Sequence, residues 1–183
     1  MDFIARMRVL AETVLVTPRL RLEPLTPAHA PELFDGLRAP ALYAFIPQEP
    51  PASLDHVLAR FERISRRGPA DGSAVWLNWA FRTEEHYCGL FEATALADGT
   101  VDIAYFVFLP DQRQGLAREA GAAVMAALWA DADTQVIGAS LDTRNEASAK
   151  LLESLGFTRV AVTENADFFG GMASDEYRYE CRR

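Results

Sequence analysis

Asp111-Gln112-Arg113-Gln114-Gly115-Leu116-Ala117-Arg118-Glu119-Ala120 follows the apolar run from Ile103 to Leu109 and opens a segment that reads as a helix. A strand that ends in a Gly-containing loop and feeds a helix start gathers several unpaired backbone N–H groups at one point. The helix dipole adds partial positive charge there, so the place suits a phosphate or pyrophosphate. Gly115 lets the main chain approach an anion closely, and the small Ala117 keeps the first turn uncrowded. An ordinary strand-to-helix turn would use the same letters, so the surrounding chain has to decide.

On either side the pattern changes character. Upstream, Val75 to Arg82, His86 to Leu96 and Thr100 to Leu109 are strand-like, separated by Thr83-Glu84-Glu85 and by Ala97-Asp98-Gly99, which is hairpin chemistry. Downstream, a helix over 115–130, a strand over 134–141, a helix over 145–155 and strands over 157–163 and 174–182 alternate. Antiparallel strands followed by strand–helix alternation imply one mixed sheet with helices on both faces. Residues 13–25 read as a single strand, Thr26-Pro27 as a helix start, residues 39–52 as a Pro-broken connection, and Ser53 as the cap of a helix carrying Leu54, Val57, Leu58, Phe61 and Ile64. Residues 1–12 read as an N-terminal extension, and the 183 residues as one domain.

The totals restrict the partners. Half of the residues are hydrophobic, 24% are charged and the net charge is −8. That balance argues against nucleic-acid binding and suits a cationic acceptor. No apolar run reaches membrane-spanning length, and Asp2, Arg6, Arg8 and Glu12 interrupt any signal-peptide core, so a cytoplasmic protein is expected. Cys88 and Cys181 form no spaced metal motif, and His29, His56 and His86 are scattered, so no metal is expected. Trp76, Trp79 and Trp129 read chiefly as core.

Gln112-x-x-Gly115-x-Ala117 after a strand, Asn145-x-x-Ser148 opening the next helix, and the exit Leu155-Gly156-Phe157 together resemble the GNAT superfamily of acetyl-CoA-dependent N-acetyltransferases. Thr17-Pro18-Arg19-Leu20-Arg21-Leu22 is similar to the first strand of its Rim-type branch, whose best-known members acetylate the N-termini of ribosomal proteins. The resemblance runs from about residue 17 to the end. It implies a GNAT fold, α/β with a largely antiparallel mixed sheet and a V-shaped gap, here between strands 100–109 and 134–141. It implies acetyl-CoA as co-substrate, held by main-chain groups of Gln112, Arg113, Gln114, Gly115, Leu116 and Ala117, by strand residues Phe106, Val107 and Phe108, and by Asn145 and Ser148. A homodimer is compatible with it.

Acyl transfer from a thioester to an amine needs a neutral amine, a stabilised oxyanion and a proton for the leaving thiolate. A backbone N–H near Val107 would be the oxyanion donor. The helical Tyr that many superfamily members use as acid is replaced here by Leu152, and Ser148 falls where the Rim-type branch carries a Ser given that role. A Ser bonding its own helix turn is the alternative. Glu92 and Asp102, on neighbouring strands, are the candidate bases, and either could be a solvated strand residue. An α-amine, with a reference pKa near 8, is about a tenth neutral at pH 7, whereas a lysine is only ~0.04% neutral; a weak base therefore favours α-amines. The expected reaction is acetylation of a protein or peptide N-terminus through a ternary complex. A small-amine acetyltransferase (amino sugar or antibiotic) and a non-catalytic acyl-CoA-binding domain are the rivals. Asp175 and Tyr177 resemble the Asp-x-Tyr of Rim-type relatives, and Tyr43 and Phe45 lie where the family builds its acceptor cleft.

Overall fold

The computed structural model describes residues 1–183. Eight strands, β1 (Leu15–Val16), β2 (Arg21–Pro24), β3 (Ala74–Arg82), β4 (Tyr87–Leu96), β5 (Thr100–Val107), β6 (Val136–Asp142), β7 (Thr158–Phe169) and β8 (Met172–Arg182), form one sheet in the order β1-β2-β3-β4-β5-β6-β8-β7. Five helices flank it: α1 (Phe3–Ala11), α2 (Ala30–Leu37), α3 (Leu54–Ile64), α4 (Leu116–Trp129) and α5 (Glu146–Ser154). All neighbouring strands run antiparallel except β5 and β6.

Alternation along the central strands sorts side chains to two faces. Val75, Leu77, Trp79 and Phe81 of β3 and Phe91, Ala93 and Ala95 of β4 enter a cluster of 26 buried residues with α1, α4 and α5. Ala80, Leu90, Phe106 and Phe108 enter a separate cluster of 12 with α2 and α3. The sheet thus has a core on each side.

The two adjoining parallel strands part company early. Thr100, Val101 and Asp102 pair with Val136, Ile137 and Gly138, and no further register pair joins β5 to β6. Beyond that point β5 stays on β4 as far as Val107↔Gly89, while β6 stays on β8 as far as Asp142↔Glu176. Each strand is held by its outer neighbour, so the inner edges diverge into a V. Arg178 of β8 crosses over Gly138 to reach Asp102 at 2.5 Å, and a Cβ on Gly138 would fall 2.0 Å from the guanidinium. That ion pair clasps the vertex.

Two sequence expectations are revised. Residues 13–25 form a tight hairpin rather than one strand: Thr17 N donates to Leu20 O at 2.9 Å, and Leu15 faces Leu22. Pro18 presets a turn φ and carries no N–H for a ladder. The N-terminal segment is part of the core, because Phe3, Met7 and Ala11 recur on one face of α1 and are all buried. Trp79 Nε1 donates to Thr13 O at 2.9 Å and Arg6 pairs with Asp131 at 2.6 Å, fastening that segment down. No helix is long and apolar enough to cross a membrane. Met7→Ala is expected to cost about 2–5 kcal/mol in urea unfolding, whereas Val9→Ala, at a position 59% exposed, should change stability by less than about 0.5 kcal/mol.

Candidate active site

A cleft of about 920 Å³ begins at the V and passes through the sheet. On the α4/α5 side it is lined by the loop 111–118 and by residues 144–148, and on the α2/α3 side by Leu42, Phe45, Ile46, Arg60 and Glu92. Its size is that of a small-molecule or cofactor site.

The loop wall has the geometry that suits an anion. A 3-10 turn (Leu109–Asp111) ends the strand, Arg113 takes a left-handed φ of 64°, and Gly115 follows with φ 78° as N-cap of α4. A Gly N-cap has no side chain to offer, so the N–H groups of the first turn at Leu116, Ala117 and Arg118 are left for solvent or a ligand. The loop is braced from both sides. Gln112 Nε2 donates to Val107 O at 3.0 Å, and Arg19 joins Gln114 O (3.0 Å) to the Glu119 carboxylate (2.6 Å). Thr17 adds a 2.6 Å bond to Glu119, so the β1–β2 turn positions the anion loop. That Arg19 and Glu119 meet was not legible in the sequence, since 100 residues separate them.

The strand wall requires a correction to the expectation for Phe106 and Phe108. Phe108 N donates to Cys88 O at 2.8 Å. By the alternation of an antiparallel ladder, Phe106 also spends its N–H on β4, whereas Tyr105 and Val107 turn theirs to the gap. Phe106 and Val107 line the cleft; Phe108 is buried against Gly36 and does not. Gln114 is likewise outside the lining, its side chain being turned to Pro110 O. Gln112, Arg113, Gly115, Leu116, Ala117, Asn145 and Ser148 all border the cleft.

Ser148 does not bond its own turn through its hydroxyl. Asn145 caps α5 by accepting from Ser148 N at 3.1 Å, which leaves Ser148 Oγ to meet Tyr105 Oη at 2.6 Å. Tyr105 stacks on Phe91 at 5.8 Å between ring centroids, and burial pushes its phenol up to about 12. The sequence reading missed Tyr105, although alternation puts it on the helix face opposite Phe106. On the other side of the sheet Glu92 lies half-buried in the cleft, 2.7 Å from Arg60 Nη2. Burial raises its pKa above the usual carboxylate range, and the Arg60 charge opposes that rise.

Asp102, the second candidate base, is not brought to the site. It belongs to the paired part of β5, is clasped by Arg178 and does not line the cleft. Tyr43 and Tyr177 also lie outside the lining: Tyr43 donates to Leu37 O in the α2/α3 core, and Tyr177 packs under Arg159. Asp142, Asp167 and Glu176 add acidity near the mouth, Asp142 being engaged by Arg144 at 2.5 Å and by Ser174 at 2.6 Å.

The Acetyltransferase (GNAT) domain family model matches residues 19–158. Among solved structures, RimL, a ribosomal L7/L12 α-N-protein acetyltransferase in complex with coenzyme A, superposes with a TM-score of 0.83 at 18% identity, covering 93% of this chain and 98% of that one. An acetyl transferase from Salmonella typhimurium that modifies the N-terminal serine of 50S subunit protein L7/L12 gives 0.82 at 17% identity, covering 93% and 99%. A GNAT-family acetyltransferase from Bacillus anthracis gives 0.77 at 16% identity, covering 93% and 98%. At these identities the likeness is one of fold. No curated protein sequence matches the chain.

The Arg144 guanidinium, with help from Ser174 and against the effect of burial, lowers the Asp142 pKa to about 2. A carboxyl depressed in the folded state stabilises above its unfolded pKa and loses that contribution as pH falls through the folded value. Asp142→Asn should therefore cost about 2 kcal/mol at neutral pH. In urea unfolding the gap to the parent should narrow between the ordinary Asp pKa, about 3.9, and pH 2.

Proposed function

The chain belongs to the GNAT acetyltransferase domain family, and from that premise we propose that it acetylates the α-amine of a protein or peptide N-terminus, by direct attack within a ternary complex with acetyl-CoA. One observation carries this reading: a single cleft joins an uncapped helix start, an unpaired strand edge, a hydroxyl pair and a half-buried carboxylate. Acetyl-CoA, when bound, supplies an acyl thioester and an anionic pyrophosphate.

The donor set fits that co-substrate. The first-turn N–H groups of α4 suit the pyrophosphate, and the N–H groups of Tyr105 and Val107 suit a pantetheine amide and the developing oxyanion. The Tyr105–Ser148 pair stands in for the helical Tyr whose position Leu152 occupies, and delivers a proton toward the leaving sulfur. Its second hydroxyl comes from a strand instead of the helix. Glu92 acts from the opposite face as base for the ammonium, directly or through water, and Arg60 holds its carboxylate in place. Asp102 has no part in this assignment.

The acceptor end favours a cation. Glu92, Asp167 and Glu176 line the cleft, and the chain carries a net charge of −8. An α-ammonium needs only a weak base to reach its neutral form at pH 7, which suits a single carboxylate. The neighbours named for N-terminal acetylation of L7/L12 support a peptide end as acceptor.

Acetyl-CoA at one hundred times its Kd should stabilise the fold by about 2.7 kcal/mol in a thermal-shift titration, with ATP as the control; no shift would remove the co-substrate assignment. Thiol release should be seen with peptides bearing a free N-terminus and be lost when that end is blocked. Turnover of amino sugars but not of peptides would establish the small-amine reading instead. Ser148→Ala and Tyr105→Phe should each lower kcat roughly tenfold or more, and the double variant should be little worse than the poorer single one, because the hydroxyls act as a unit. Glu92→Gln should lower kcat by about a hundredfold. Since the base works deprotonated from a raised pKa, the acid limb of the parent's pH–rate profile should lie above the ordinary Glu value of about 4.3 and vanish in that variant.

A further inference from the structure

Behind the anion loop, the β3–β4 turn meets the 3-10 turn that ends β5. His86 Nε2 lies 2.8 Å from Asp111 Oδ1, and one donor atom each from His86, Cys88 and Asp111 fall within 4.8 Å of one another. Their backbone is fixed. The register of β3 on β4 shifts between Phe81 and Arg82, which face Gly89 and Tyr87, so Cys88 is the extra residue of a bulge. Bulges re-aim a side chain. Cys88 O accepts from Phe108 N at 2.8 Å, and Phe108 O accepts from Asp111 N at 2.9 Å, which holds the carboxylate beside the thiol. Cys88 and Asp111 are buried, while the His86 side chain is 52% exposed. The acyl-transfer assignment uses none of these three side chains.

We propose that His86, Cys88 and Asp111 form a binding site for a thiophilic divalent cation, Zn²⁺ first among them. Thiolate, imidazole and carboxylate are all zinc donors, and a three-residue set leaves the fourth position to water, here on the exposed side of His86. Tetrahedral bonds of about 2.0–2.3 Å put donor atoms about 3.3–3.7 Å apart, so the set needs adjustments of up to about 1.5 Å. On binding, the Cys88 thiol gives its proton to solvent as the sulfur–metal bond forms; no redox partner is involved. The two anionic donors then balance the two positive charges, leaving a neutral buried site. Single-sequence spacing concealed the group because Asp111 is 23 residues beyond Cys88, although Cys88 and His86 are only two apart. The consequence is mechanical: Asp111 immediately precedes the anion loop, and the cation ties the start of that loop to β4.

The test is a Co²⁺ titration of the reduced, chelator-treated full chain, followed by absorption. A thiolate-to-cobalt charge-transfer band with the intense visible bands of tetrahedral Co²⁺ is expected at one equivalent, and one equivalent of Zn²⁺ should bleach both. Cys181→Ser should keep the band and Cys88→Ser should lose it. His86→Ala, an exposed change that spares the core, should weaken Co²⁺ binding by more than about tenfold, and Zn²⁺ should raise the melting temperature of the parent but not of this variant. No charge-transfer band in the parent, a band that survives Cys88→Ser, or unaltered affinity in a folded His86→Ala protein would each overturn the site.

Discussion

Three ladder pairs hold β5 to β6, and the working parts of the molecule depend on where that pairing stops. Backbone N–H and C=O groups are obligatory hydrogen-bonders, so a strand edge released in the middle of a sheet must turn to water or to a ligand. The release is stable here because β4 and β8 continue to hold the outer edges of the two strands. Arg178 and Asp102 close the vertex across Gly138, where a larger residue would have to displace the guanidinium. A side chain that a linear reading offers as a catalytic base is therefore a fastening.

The same parting explains why the groups assigned to the reaction come from both faces. Tyr105 and Ser148 meet on the α4/α5 side, in surroundings apolar enough to hold the phenol protonated. Glu92 and Arg60 sit on the α2/α3 side. The proposed proton donor and the proposed base are thereby separated by the thickness of the sheet. Unlike environments set their proton affinities independently, which direct contact between them would prevent.

Much of this was legible in the chain. The Asp98-Gly99 hairpin, the Gly115 loop and the helix opening at Asn145 are local signals, carried by turn chemistry and periodicity, and the strands and helices they punctuate stand close to the expected bounds. What was not legible lies in side chains brought together from afar. Tyr105 and Ser148 are 43 residues apart, Arg60 and Glu92 are 32 apart, and His86 and Asp111 are 25 apart. A period of two assigns Tyr105 to a face but cannot say which helix residue it will meet there. The hairpin at Pro18 was concealed for a different reason: the apolar members of the run, Leu20, Leu22 and Leu25, all lie at or beyond the turn and say nothing of a reversal before them.

The two clusters of core residues carry a consequence for descent. The wall that presents the anion loop is backed by the 26-residue cluster, whereas Leu42, Phe45 and Ile46 rest on or beside the 12-residue one. Substitutions in the segment 39–52 can accumulate without loosening α4, because the two sides share a sheet but few packed side chains. Under the proposed assignment, lineages built on this plan can thus exchange the jaw that selects an acceptor while inheriting the grip on the acyl donor unchanged.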